Sequence, residues 1–374
     1  MAKMLKAGLV GCGSVSLRGV LPHLSLPDAR EKVQVAAVVD VDAERARQTA
    51  AQFGVPTSYT SLEEMLEKAD VDLVIINTPI PYHFTNTMAA IQAGKHVYVQ
   101  KTMTTTLEEA NQVLAARDRK GIKLAAATGY ELFPTTQQMR EIVQRGDLGR
   151  VNIAYNYTMG FGHEREPIRS GKGALAEISP AWYYQPGAGP LPDVTVYAFH
   201  LITSVLGPVR RVTSLANQTA KQRTWQNETI RVAINDNSMV MMEFAAGAIG
   251  VAVGSKSMGS RRIPWGALHL YGTLGGLEVT RVDALSGFPT HFETWGQRPQ
   301  QYASELSAQP YLKGEHLTIE EPQAYADIMD LVDAIHEDRP PLASGEQARH
   351  VVEIIEKSLV AVATGQTQPL ESTF

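Results

Sequence analysis

Met4-Leu5-Lys6-Ala7-Gly8-Leu9-Val10-Gly11-Cys12-Gly13-Ser14-Val15-Ser16 reads as a buried apolar strand, a glycine turn and the first residues of a helix. Gly11 permits the tight turn, and Gly13 lets backbone N–H groups approach a pyrophosphate at the helix N-terminus. The helix pattern starts near Ser14 and runs through Val15, Leu17, Val20, Leu21 and Leu24, so Ser14 and Val15 stand at that anion-binding end. The spacing is a dinucleotide fingerprint with one departure: Ser16 stands where a third glycine or alanine is usual. Serine is still small enough for close helix–strand packing. An isolated Gly-x-Gly is equally an ordinary strand-to-helix turn, so the context has to decide.

A second apolar strand, 33–39, ends at Asp40. A carboxylate there can accept hydrogen bonds from the adenosine ribose and would repel a 2′-phosphate, so NAD is preferred over NADP. Asp40 could instead cap the helix 43–53, although Asp42 is better placed for that. Gly54 ends this helix, and Ser61-Leu62-Glu63-Glu64 opens a short one with capping-box spacing. The buried strand 72–77 is broken by Thr78-Pro79-Ile80-Pro81, and a helix over 82–93 follows. Ala93-Gly94-Lys95-His96-Val97-Tyr98-Val99-Gln100-Lys101-Thr102 is then a helix end, a glycine stop, a buried strand and a lysine where the strand runs out. Ligands of an open parallel sheet sit beyond the carboxyl ends of its strands, so Lys101 can touch a substrate. A helix over 107–119 and a strand over 123–127 complete a βαβ series. Residues 1–128 are therefore expected to form an NAD-binding, doubly wound parallel domain.

The grammar then changes. After a helix over 135–145, strands arrive without intervening helices, at 151–158, 209–217, 229–235, 238–244, 248–254, 266–271 and 275–280. Asn235-Asp236-Asn237 and Ala245-Ala246-Gly247 read as turns between antiparallel neighbours. Helices are expected over 194–205, 323–336 and 346–364. Residues 129–374 thus form an α+β domain with a large, open, mainly antiparallel sheet, serving substrate binding and oligomerisation. One sheet face carries helices and the other needs water or a partner, which points to a homo-oligomer, a dimer or tetramer. The stretches 160–192 and 281–320, rich in Gly, Pro and aromatics, resemble substrate-bordering loops.

Composition narrows the classes. The 374 residues carry a formal net charge of −5 and no basic stripe, which argues against nucleic acid. No apolar run has transmembrane length and no signal-peptide pattern stands at the start. Cys12 is the single cysteine, which excludes an intramolecular disulfide and fits a reducing compartment, so a cytoplasmic location is expected. The histidines show no metal-ligand spacing, His163-Glu164 included, and no metal is expected.

Ala93-Gly94-Lys95-His96-Val97 with Gln100-Lys101 resembles the signature of the glucose–fructose oxidoreductase, inositol dehydrogenase and rhizopine-catabolism (Gfo/Idh/MocA) family. Thr78-Pro79 with His83, and Gly146-Asp147-Leu148-Gly149-Arg150-Val151, fit the same pattern. So does Asp193-Val194-Thr195-Val196-Tyr197-Ala198-Phe199-His200, closed by Leu206-Gly207-Pro208. The resemblance covers nearly the whole chain in order. It implies an N-terminal Rossmann domain and a nicotinamide-dependent oxidoreductase acting on sugars, cyclitols or related polyols. It also implies that Lys101 contacts the reacting hydroxyl, with Asp193 and Tyr197 as its partners and His200 touching substrate. The cofactor set it implies is Gly11, Gly13, Ser14, Val15, Asp40, Thr78, Pro79, His83, Gln100 and Lys101, with His83 supporting the site rather than acting as a base.

The chemistry is consistent with that transfer. A free tyrosine has a pKa near ~10, too high for a base at neutral pH, and a neighbouring ammonium favours the phenolate. Asp193 and Tyr197, four apart, share a helix face that His200 and Ser204 continue. Tyr197 is otherwise read as a core aromatic, and His200 as a structurally satisfied histidine.

Three departures mark this chain. Gln100 replaces the usual Glu, so its amide would bind the nicotinamide ribose without a charge. Thr102 replaces Pro, so the cis peptide often found there is expected to be absent or strained. Thr195 and Tyr197 replace the commoner Gly and His, which points away from inositol dehydrogenase. Trp182 and Tyr183, with Tyr184, form an aromatic patch that could stack on a pyranose ring or serve as a hydrophobic plug. Arg165, Arg169 and Lys172 could bind an acidic substituent but read more simply as solvated loop charges. The leading reading is oxidation of a ring hydroxyl, at C1 of an aldose or C3 of a glycoside. The alternatives are a glycoside-cleaving or epimerising enzyme with tightly bound NAD, and a non-catalytic nucleotide-sensing protein.

Overall fold

The computed structural model describes residues 3–169, 177–258, 266–283 and 287–374. It divides into two compact units, the first built from 1–129 and 310–348, the second mainly from 130–171, 179–309 and 349–374. The stretch 310–348, read from sequence with the second half, clusters with the first. Its helix Pro322–His336 is buried along most of its length.

The first unit holds a six-stranded, wholly parallel sheet. Its strands are β1 (Leu5–Val10), β2 (Val33–Val39), β3 (Thr57–Tyr59), β4 (Leu73–Ile76), β5 (His96–Val99) and β6 (Leu124–Ala126), in the order β3-β2-β1-β4-β5-β6. Strands covered on both faces read as unbroken apolar runs, and Leu73–Ile76 is completely buried. The connecting helices start on side-chain caps. Asp42 accepts from the amides of Glu44 and Arg45, Ser61 from Glu64, and Thr106 from Glu109. Each such cap contributes on the order of 1 kcal/mol. The reversal of strand order between β1 and β4 opens a crevice at their carboxyl ends, the place where doubly wound sheets bind ligands.

The second unit holds a nine-stranded sheet made of β7 (Val151–Met159), β8 (Val209–Asn217), β11 (Asn237–Phe244), β12 (Ile249–Ser255), β13 (Ala267–Gly272), β14 (Gly275–Val282), β15 (Pro289–Gly296), β16 (Gln300–Ala303) and β17 (Gln368–Pro369). Their order is β16-β15-β14-β13-β7-β12-β11-β8-β17, antiparallel except where β12 runs parallel to β7. Two expectations are corrected here. The strand expected at 229–235 is β10 (Glu228–Arg231), and it leaves the large sheet to pair with β9 (Gln222–Trp225) in a separate ribbon. Asn235-Asp236-Asn237 is accordingly no hairpin turn. Asp236 is fully buried and accepts the amides of Thr219 and Ala220 and the Arg223 guanidinium. The supposed loop 281–320 carries β15 and β16, since Thr290, Phe292 and Thr294 alternate into the core.

One face of the large sheet is covered by the helices of its unit, Pro134–Gln144 and Val196–Leu206. The other face exposes large apolar side chains in adjacent rows, among them Leu215, Met239, Met241, Ile153, Ile249 and Tyr271. Among the described residues no helix is long and apolar enough to cross a membrane.

Candidate active site

In the first unit the expected cofactor residues converge on the carboxyl edge of the sheet. Gly11 sits at φ +96°, and a Cβ there would lie 2.7 Å from the Asn77 carbonyl oxygen, so both conformation and space require glycine. At Gly13 a Cβ would meet nothing within 4 Å, which leaves the backbone open to a ligand. Ser16 earns its place chemically: its hydroxyl donates to Gly11 O at 2.5 Å and accepts from Asn77 Nδ2 at 2.9 Å. The first helical bond runs from Leu17 N to Gly13 O, so the amides of Ser14 and Val15 precede it at the helix start.

Asp40 closes this loop from the side. Its carboxylate accepts from Cys12 N at 2.9 Å, Asp42 N at 3.0 Å and Arg45 Nη1 at 3.2 Å. The helix cap falls to Asp42, and Asp40 holds the fingerprint turn. Burial pushes the neighbouring Cys12 thiol up to about 12, so it stays protonated packing.

Lys101 leaves β5 two strands across the sheet from β1. Gln100 Oε1 accepts from Lys101 N at 3.1 Å, and Gln100 Nε2 donates to Tyr98 Oη at 3.1 Å. The Gln100 amide, expected to face a ribose, is thus buried and turned onto its own strand. The Lys101–Thr102 peptide is cis, so the absence of proline has not removed that feature. His83 is buried, with Nδ1 2.7 Å from Thr102 O and Nε2 2.7 Å from Thr78 O. Burial holds the imidazole below its usual value; the two carbonyls oppose this, and Lys101 adds to it. His83 therefore acts through Thr78, beside Pro79, and through Thr102.

In the second unit, Asp193 lies in a wide π-helical turn, Leu191–Thr195, that leads into the helix Val196–Leu206. Every residue from Leu191 to Leu206 is buried except Tyr197, which is half-buried. His200, expected at the substrate, is 2% exposed. Asp193 Oδ2 sits 2.6 Å from His163 Nε2. Tyr183 stacks on the His163 ring with centroids 3.5 Å apart, and Trp182 packs against Tyr183 at 3.8 Å. Arg169 is no solvated loop charge: it is 3% exposed, bonds Glu166 and lies over the Tyr183 ring. Lys172 lies outside the described residues.

Sequence reading missed His163, Glu166, Lys256, Arg45 and Asn77. Asn77 and His163 meet partners 61 and 30 residues away, and a lone histidine in a Gly-rich stretch carries no spacing signal. Arg45 and Glu166 bond residues 5 and 3 positions off, a spacing any surface charge pair shares. Among the described residues no group of three or more His, Cys, Asp or Glu is arranged to hold a metal ion.

The first unit fits a dinucleotide on its own geometry. Gly13 leaves open space, and Asn77 Oδ1 is buried with no hydrogen-bond partner among the described residues. Asp40 uses three of its roughly four acceptor positions.

Comparison with known proteins places both halves. Residues 5–128 match the model of an oxidoreductase family with an NAD-binding Rossmann fold, and residues 136–278 match the GFO/IDH/MocA C-terminal domain. The chain is 24% identical to trans-1,2-dihydrobenzene-1,2-diol dehydrogenase of Mus musculus, over 79% of each protein. It is 30% identical to 1,5-anhydro-D-fructose reductase of Ensifer adhaerens over 39% of this chain, and that match spans only 43% of the reductase. Its fold is similar to that of levoglucosan dehydrogenase, solved with NADH and levoglucosan: TM-score 0.82, 19% identity, coverage 99% of this chain and 100% of the other.

Asp40→Asn removes the charge proposed to meet the adenosine ribose. NADH affinity, read by fluorescence titration, should fall about 10- to 100-fold, with the preference over NADPH reduced. Unchanged NADH affinity would remove Asp40 from cofactor recognition.

Proposed function

The chain belongs to the GFO/IDH/MocA oxidoreductase family, and we propose that it oxidises a ring hydroxyl of a sugar, glycoside or related polyol, with C1 or C3 as the favoured carbon. The observation that carries this reading is Lys101 at the carboxyl end of β5, on the same sheet edge as the Gly11–Ser16 cradle. NAD, when bound there, supplies the hydride acceptor. The names of the relatives, a diol dehydrogenase and an anhydrosugar reductase, support a substrate bearing CH–OH groups.

The residues divide the work as follows. Losing hydride from the carbon leaves a carbonyl, and the hydroxyl proton must go to a base. Tyr197 is assigned that proton, and its partial exposure in an otherwise buried helix supports the assignment. Lys101 is assigned the hydrogen bond to the developing alkoxide. Asp193 supplies a fixed negative charge, and Trp182 offers an aromatic face to the ring's C–H bonds. Tyr183, expected to do the same, is covered by His163 and Trp182 and supports it from behind. The supporting roles of His83 and Gln100 follow from their bonds to the segment bearing Lys101. His200, buried, keeps only the assignment to a substrate contact that the family pattern implies.

With NAD and a panel of monosaccharides, glycosides, anhydrosugars and inositols, absorbance of NADH should rise with at least one class. Tyr197→Phe should lower that turnover by roughly 10²–10⁴ while leaving NADH binding intact. Silence across the panel, with NADH shown to bind, would sink the reading. Product formation without net NADH would instead favour transient oxidation by retained NAD.

The apolar face of the large sheet supports a homo-oligomer closed sheet against sheet. Light scattering should give the mass of a dimer or tetramer. A monomer would contradict it.

A further inference from the structure

His163 heads the short turn that follows β7, and neither its sequence context nor the family signature gives it a role. The structure places it between two carboxylates: Nε2 is 2.6 Å from Asp193 Oδ2, and Nδ1 is 2.7 Å from Glu166 Oε1. The ring is covered by Tyr183, stacked at 3.5 Å and 16°. An ionised carboxylate only accepts hydrogen bonds, and a neutral imidazole has one N–H to give. If both carboxyls are ionised, both contacts are satisfied together only by an imidazolium.

The surroundings suit that charge. From its own segment His163 faces Glu166, which also receives Arg169 at 3.2 Å. Lys256, beyond β12, stands 3.7 Å from Glu166. Next to this cluster, Arg223 bridges Glu164 at 3.3 Å and Asp236 at 3.0 Å, and the Tyr184 hydroxyl donates to Glu164. Burial opposes ionisation of the Glu166 carboxyl, but His163, Lys256 and Arg169 outweigh it and hold that group at about 2. Glu166 Oε1 lies 2.7 Å from the imidazole on the side away from Asp193, with Arg169 and Lys256 supplying further positive charge.

We propose that His163 is the positioning residue of the substrate half-site: as an imidazolium donating to both Asp193 and Glu166, it fixes one oxygen of Asp193 and keeps that carboxylate ionised. This rests on the reading that places Asp193 at the substrate. The arrangement explains how a carboxylate only 5% exposed can hold a fixed charge, since an unpaired buried charge would be neutralised instead. Tyr183 is held between the imidazole and Trp182, with ring centroids 3.5 and 3.8 Å away. The relay is charge-assisted at both ends, the stronger class of hydrogen bond. Loss of His163 therefore acts on the reaction through Asp193, with the cofactor half-site untouched.

Two measurements on the full chain test this separately. Histidine side-chain nitrogen NMR on the NAD-loaded protein without substrate should show both nitrogens of His163 protonated at neutral pH. A bare nitrogen would overturn the proposal whatever the protein catalyses. His163→Gln should then lower kcat about 10- to 100-fold on the substrate found by the panel, with KM for NAD unchanged. An unchanged kcat would overturn the proposal. If that variant does not fold, Glu166→Gln takes its place: it should lower kcat in the same direction and leave His163 with one protonated nitrogen. Retained kcat or retained double protonation in Glu166→Gln would count against the relay. A silent panel would defeat the functional reading alone and leave the NMR result standing.

Discussion

The ring of His83 ties the end of β4 to the segment that carries Lys101. It is buried between the carbonyls of Thr78 and Thr102, two groups on neighbouring strand ends that would otherwise face the interior. With its charged form disfavoured by burial, the ring has one N–H to give, so it donates to one of the two carbonyls and packs against the other, and both loops are held against one buried ring. Ser16 does the same one strand over, joining Gly11 O to the Asn77 side chain. Asp40 does it again from β2, through Cys12 N. The ligand-binding edge of the first unit is thus a set of backbone turns pinned by short polar side chains, and that rigidity allows open space at Gly13 without collapse.

The second unit reaches order differently. Around Asp193 it buries charge: His163, Glu166, Arg169 and Lys256 in one cluster, with Glu164, Arg223 and Asp236 beside it. Buried ion pairs add little net stability, because desolvation offsets the attraction. What they supply is a single geometry, since every misplacement strands a charge. A site that must present one fixed charge needs that more than it needs extra stability.

The parts of the fold that were legible in sequence are those set by local rules. The parallel strands announced themselves as apolar runs, the caps at Asp42, Ser61 and Thr106 by side-chain type, and the fingerprint by its glycines. The family motifs then singled out Lys101, Asp193 and Tyr197. The missed features are set by pairings that residue type does not announce. Glu228–Arg231 has the pattern of a sheet strand, and only its pairing with Gln222–Trp225 removes it from the main sheet. Arg169 looks like a solvated charge until Glu166 and Tyr183 are brought to it. Gln100 reads as a ribose ligand, yet its amide is taken up by Tyr98 and the Lys101 backbone. His163 pairs with an aspartate thirty residues on, a separation that no periodicity encodes.

The proposed hydride transfer runs from a CH–OH carbon at the Lys101 edge to the nicotinamide. Its most direct test uses a substrate deuterated at the reacting carbon, with mass analysis of the recovered nicotinamide. The label should appear on the cofactor, and Lys101→Met should abolish its transfer while NADH still binds. Label released to solvent, or transferred undiminished by the Lys101 variant, would contradict the account.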